Sequence, residues 1–186
     1  MTSPRLAPLE PPYAPDLAEA LAAMMPPGVA PLRLFRTLAH NPRILGKMRA
    51  ANLLDRGSLE RREREIVILR ATARAGAEYE WGLHAGYFAG RVGLDDARVA
   101  ATVHGGADAP AWTPRERLLV RLVDSLHDTA RLDDALWNEL AAAYEPAQLV
   151  ELVVLAGFYR TISCVVNAFG LEHEDGAPHY PPKTLP

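Results

Sequence analysis

The stretch 59–75, LERREREIVILRATARA, sets the tightest constraint on how this chain folds. Stepping about 100° per residue from Glu65 puts Leu69 near 40°, Ile68 near 300° and Thr72 near 340°. Apolar residues surround the helix instead of forming a stripe, which marks a helix buried on all sides at the centre of a bundle. Glu65 is then a carboxylate inside the core, costly there unless it is paired, hydrogen-bonded or protonated. That is also the setting of a general acid or base.

The segment 78–92, EYEWGLHAGYFAGRV, follows after the sharp stop at Gly76. Counted from Glu80, His84 lies near 40°, Arg91 near 20° and Tyr87 near 340°, with Phe88 and Trp81 near 80° and 100°. The opposite side is smooth: Gly82, Ala85, Gly86 and Ala89. One face therefore presents a carboxylate and an imidazole fenced by aromatics, and the other admits a close neighbour. A lone Glu–His pair at i, i+4 is readily a structural stitch between helices. Glu65, on the adjoining helix, makes a three-group acid–base cluster the sharper expectation, with Trp81, Tyr87, Phe88 and Arg91 lining a substrate pocket. Two carboxylates and a histidine are also hard-metal ligands. The di-iron bundle pattern needs Glu and His three apart on two helices, however, and here a single pair stands four apart, so no metal and no cofactor is expected.

The remaining periodic segments also read as helices: 16–25, 32–40, 42–54, 95–104, 113–127, 133–144 and 146–171. Thr113–Pro114–Arg115–Glu116 is a capping box with proline at the first helical position, and Pro146 opens the longest helix. No segment alternates with period two, so the class is all-α. The ends, 1–15 and 174–186, are punctuated by proline and read as extended arms, disordered or wrapped on a neighbouring subunit. The organisation expected is an N-terminal arm with a short helix (1–29), a helical domain (30–173) and a proline-rich tail (174–186).

The chain has 186 residues and a formal net charge of −3, without a basic block, which argues against a nucleic-acid partner. It has neither a signal-peptide pattern nor an uncharged apolar run of about 18 residues, so a cytoplasmic protein with no membrane partner is expected. Its one cysteine, Cys164, lies in an apolar run and reads as a buried structural thiol. His127 and His104 sit at helix C-termini, where histidine caps the dipole. His40, His173 and His179 read as surface or arm residues. Arg160, Ser163 and Asn167 form a polar stripe that suits a pocket and a subunit interface equally.

Arg62–Glu63–Arg64–Glu65–Ile66–Val67–Ile68–Leu69–Arg70 and Glu78–Tyr79–Glu80–Trp81–Gly82–Leu83–His84 resemble the carboxymuconolactone decarboxylase family, within the alkylhydroperoxidase-D-like superfamily. Asp124–Ser125–Leu126–His127–Asp128–Thr129 and Leu149–Val150–Glu151–Leu152–Val153 agree with it, so the likeness covers roughly residues 30–172. The resemblance implies a compact orthogonal helical bundle, here with an extra N-terminal helical region, assembled into trimers or hexamers. The peroxidase branch uses a Cys-x-x-Cys-x-x-x-His motif with a glutamate on the preceding helix. Glu65 matches that glutamate and His84 the motif histidine, but Ala77 and Glu80 occupy the two cysteine positions. Without those thiols the dithiol chemistry cannot run. The resemblance then implies a decarboxylase-like, cofactor-independent enzyme for a small carboxylated or aromatic compound. His84 would be the leading acid–base residue, Glu80 its orienting partner and Glu65 the relay. The alternatives are an antioxidant oxidoreductase whose thiols are supplied elsewhere and a non-enzymatic oligomeric scaffold or binding protein.

Overall fold

The computed structural model describes residues 3–183. Among these, nine α-helices and no strand are present: α1 (Pro15–Ala22), α2 (Arg33–Leu38), α3 (Pro42–Ala50), α4 (Arg61–Arg74), α5 (Glu78–His84), α6 (Asp96–His104), α7 (Pro114–Thr129), α8 (Asp134–Ala143) and α9 (Pro146–Phe169). Local chemistry sets the ends. Thr113 and Glu116 close the expected capping box at α7, and Asn41, Asp95 and Asp133 accept from the first-turn amides of α3, α6 and α8. Gly76 ends α4 at φ +64°, and the amide of Ala77 reaches back to the carbonyl of Thr72, a Schellman-type closure.

Helix α4 is central. Every residue from Glu63 to Thr72 is buried, with α5, α6, α7 and α9 packed around it. Its charged residues survive burial because each reaches a partner. Arg70 forks onto Asp124 of α7 at 2.7 and 2.8 Å, Glu63 takes Arg115 at 2.6 Å, and Arg64 donates to the carbonyls of Leu54 and Asp55. Two apolar clusters flank this axis. The larger joins α4 with α6–α9, and the smaller joins Leu21, Leu34, Leu38 and Leu45 to Leu83, Ile162 and Val166.

Three sequence expectations are corrected, and the close neighbour expected on the smooth face of α5 is identified. The helix expected over 78–92 is α-helical only to His84; a π-turn covers Ala85–Ala89 and a 3₁₀ turn Gly90–Val92. The arms do not need a neighbouring subunit to order them: the amide of Arg5 bonds Phe169, that of Leu9 bonds Arg36, and Arg33 holds Glu174 at 2.8 Å. The smooth face of α5 is covered by the chain's own tail, since a Cβ on Gly82 would strike the Pro178 carbonyl and one on Gly86 would lie 2.9 Å from the Pro178 ring. Cys164 is exposed, because the buried stripe of α9 runs through Tyr159, Ile162, Ser163 and Val166 and leaves it on the outer side. Helix α9 is long and apolar enough by composition to cross a membrane, yet here Leu152, Leu155 and Tyr159 are core residues.

Candidate active site

The helix pair α4–α5 brings the three titratable groups together. Glu65 is wholly buried, and His84 and Glu80 are nearly so. His84 Nδ1 lies 2.7 Å from Glu65 Oε2, a strong charge-assisted hydrogen bond. On the other side of the ring, Nε2 lies 3.6 Å from Glu80 Oε1, an ion-pair distance. Arg64 Nε, 3.4 Å from the second oxygen of Glu65, adds positive charge on the far side of that carboxylate.

Burial opposes charge on the imidazole, but the two carboxylates outweigh it, and the His84 pKa is pushed up to about 9. At neutral pH the resting cluster is therefore an imidazolium between two carboxyl groups. Phe88 lies over the ring with centroids 5.0 Å apart, and Tyr159 of α9 meets it edge-on at 5.1 Å. Burial holds the Tyr159 hydroxyl well above its usual range, so it stays protonated.

The cluster opens onto a cavity of about 650 Å³, mostly apolar, walled by Met24, Leu34, Phe35, Leu38, Phe158 and Ile162 among others. Glu80, His84, Tyr87, Phe88 and Arg91 all contribute to its lining. Tyr87 is half exposed and Arg91 is at the solvent edge, so both stand at the mouth. Trp81 is the exception. It points into the larger core, where its indole Nε1 donates to Thr102 Oγ1 at 2.9 Å. About 100° of rotation from Glu80 turns its side chain toward α6 and away from the cavity.

The polar stripe of α9 does not line this cavity. Arg160 bonds the carbonyl of His127, Ser163 that of Tyr159 and Asn167 that of Ala75. Tyr159, Phe158 and the 23–35 segment, which sequence reasoning did not place in the site, do line it. The aromatic pair at 158–159 within the buried register of α9 was the available signal for the first two. One polar atom stands out: Glu80 Oε2 is buried without a hydrogen-bond partner. A buried, unsatisfied carboxylate oxygen in a cavity wall is an acceptor awaiting a donor.

The sequence of residues 41–125, from the α3 cap into α7, matches the model of the carboxymuconolactone decarboxylase family. Over that span, a little under half of the chain, the sequence is similar to this family. The matched span includes Glu65, Glu80 and His84, whereas Tyr159 and the tail lie outside it. Solved structures extend the likeness to nearly the whole chain. An uncharacterized peroxidase-related protein from Silicibacter sp. TM1040 superposes with a TM-score of 0.80 at 16% identity, covering 95% of this chain and 97% of that one. The alkylhydroperoxidase AhpD core of a peroxidase-related protein from Ralstonia eutropha JMP134 gives 0.69 at 14% identity, over 91% and 93%. The debrominase Bmp8, in complex with 2,3,4-tribromopyrrole, gives 0.70 at 19% identity, over 91% of each. These establish an alkylhydroperoxidase-D-like fold for the chain. Comparison with curated protein sequences gives no match.

Proposed function

We propose that the chain is a cofactor-independent acid–base enzyme that decarboxylates, or catalyses a related lactone or enol reaction on, a small carboxylated or aromatic molecule. One observation carries the reading: a carboxylate-clamped imidazolium, with an unsatisfied Glu80 oxygen beside it, in the wall of an apolar cavity. The debrominase of the same fold holds a small aromatic ring, a ligand of the size class proposed for this cavity.

The chemistry follows from the charges. A substrate carboxylate would meet net negative charge at Glu65 and Glu80, so Arg91 and Arg49 at the cavity edge are assigned to its attraction. Glu80 Oε2 would accept a substrate hydroxyl. When the carbon–carboxylate bond breaks, carbon dioxide leaves and the electron pair passes into the conjugated system as an enolate. The proton on His84 Nε2 is then delivered to carbon, and solvent reprotonates the ring. Glu65 holds Nδ1–H throughout and stabilises the charged ring, a positioning role.

A dithiol peroxidase reaction requires thiols that the positions of Ala77 and Glu80 do not supply, and Cys164 is exposed and outside the cavity lining. An oligomer, a trimer or hexamer, is part of the proposal; its support is the exposed apolar row Val150, Val153 and Val154 on α9.

The test is solvent-deuterium incorporation, followed by NMR, across a panel of carboxylated lactones and aromatic acids beginning with carboxymuconolactone. His84→Gln should lower turnover at least about 100-fold, the usual share of a positioned acid. Turnover unchanged in that variant would remove His84 as the acid, and no exchange or turnover across the panel by the wild type would favour the scaffold reading.

A further inference from the structure

A second cluster of ligating side chains lies outside this cavity, where the C-terminal tail crosses the start of α5. Glu78, in the first turn of α5, faces two imidazoles of the tail, His173 and His179, and one ligand atom from each lies within 4.8 Å of the others. We propose that these three residues bind one divalent transition-metal ion of the zinc type, which fastens the tail onto α5.

The spacing of the three groups fits ligation of one shared ion. His173 Nε2 to Glu78 Oε2 and His179 Nδ1 to Glu78 Oε1 are both 3.4 Å, long for a hydrogen bond. Two ligands each about 2.05 Å from a tetrahedral ion stand roughly 3.3 Å apart. The two imidazoles lie face to face, with centroids 4.3 Å apart and planes 33° from parallel.

The surroundings hold the ligands in place. The amide of Tyr180 donates to Glu78 Oε1 at 2.6 Å, which orients the carboxylate. Arg33 donates to the His173 carbonyl at 2.8 Å and to Glu174 at 2.8 Å, fixing the chain on one side of the site. Such outer contacts set ligand orientation in metal sites. His179 is 70% exposed, which leaves a face open to water as a fourth ligand. Two imidazoles and one carboxylate favour zinc and its neighbours over calcium or magnesium, which prefer all-oxygen sites.

The site would also have a mechanical effect. Between its two histidines lies Pro178, the residue seated on Gly82 and Gly86. A metal at Glu78 would therefore press the tail against the back of the helix that carries His84. The inference stands on the tail alone and does not depend on the acid–base reading.

Isothermal titration of the tag-free full chain, stripped of metal, with zinc chloride at pH 7.5 tests it. One zinc per chain should bind, and hydrogen exchange at the Tyr180 amide should slow at least tenfold on saturation. His179→Ala, a surface change that leaves folding intact, should weaken binding at least tenfold; His40→Ala, in the turn between α2 and α3, should leave it unchanged. Absence of binding by the wild type overturns the proposal. So does binding undiminished in both His179→Ala and Glu78→Gln, or zinc located instead at His84.

Discussion

Replacing Glu65 with glutamine isolates the electrostatic core of the site. The two side chains have nearly the same shape, so the cavity and the packing of α4 are kept while one buried negative charge is removed. In the wild type, His84 rises from an ordinary 6.5 to about 9 against the penalty of burial. The two and a half units between those values correspond to about 3 kcal/mol at roughly 1.36 kcal/mol per unit. A histidine with a raised folded-state pKa gives stability that is fully present below its unfolded value and is lost as pH rises through the folded one. Glu65 and Glu80 share this support, so the wild type should be more stable than Glu65→Gln near pH 6 by at most about 3 kcal/mol, and the difference should shrink between pH 6.5 and 9. The imidazole itself gives the direct readout, through heteronuclear NMR of its ring protons from pH 5 to 10. The wild-type ring should titrate near 9 and the variant ring clearly lower, because burial then acts with only Glu80 against it. A variant ring still titrating near 9 would refute the assignment of Glu65 as the main support of the charge. A wild-type ring titrating near 6.5 would refute the clamped imidazolium altogether.

Three further outcomes follow from the packing. Arg70→Ala leaves Asp124 with only the longer Arg74 contact and the Thr102 carbonyl without its donor, and should cost about 2–3 kcal/mol in urea denaturation. Gly82→Ala places a methyl group against the Pro178 carbonyl; the tail should lift, seen as faster hydrogen exchange at the Tyr180 amide than in the wild type. Val154→Glu puts a charge in the exposed apolar row of α9 and should reduce the proposed oligomer to monomers in light scattering, with the helical circular dichroism unchanged.

Much of this architecture is legible in the residue pattern because its cues are local. Thr113 with Glu116, Pro146 and Gly76 mark helix ends by hydrogen bonding or backbone geometry that needs nothing distant. Glu65 and His84 are legible for a related reason: polar groups on helices that are apolar on several sides must find each other. Residues with two plausible environments are harder to place. Helix α9 is apolar nearly all round, so its periodicity does not say that Cys164 faces outward while Tyr159 faces the imidazole. Trp81 lies at the edge between two faces of α5, and the tertiary bond to Thr102 decides for the core. The smooth Gly82 and Gly86 surface announces a close neighbour, but only the folded tail identifies it as Pro178. No sequence signal marks the π-turn, since its wider winding is selected by packing around His84 and Phe88.

That π-turn over Ala85–Ala89 also means that the chain between His84 and Gly93 is counted differently from an α-helix. A turn with i→i+5 bonding stores one residue more than its α-helical equivalent. Deleting a single residue between 85 and 89 would remove that surplus and let the helix run on regularly, re-phasing by about 100° the residues inside the turn while those beyond it keep their facing. Phe88 would then leave the face of His84. The aromatic cover of the imidazole is therefore held by a length of chain as well as by particular side chains, and a one-residue deletion there should impair the site while leaving every proposed catalytic group present.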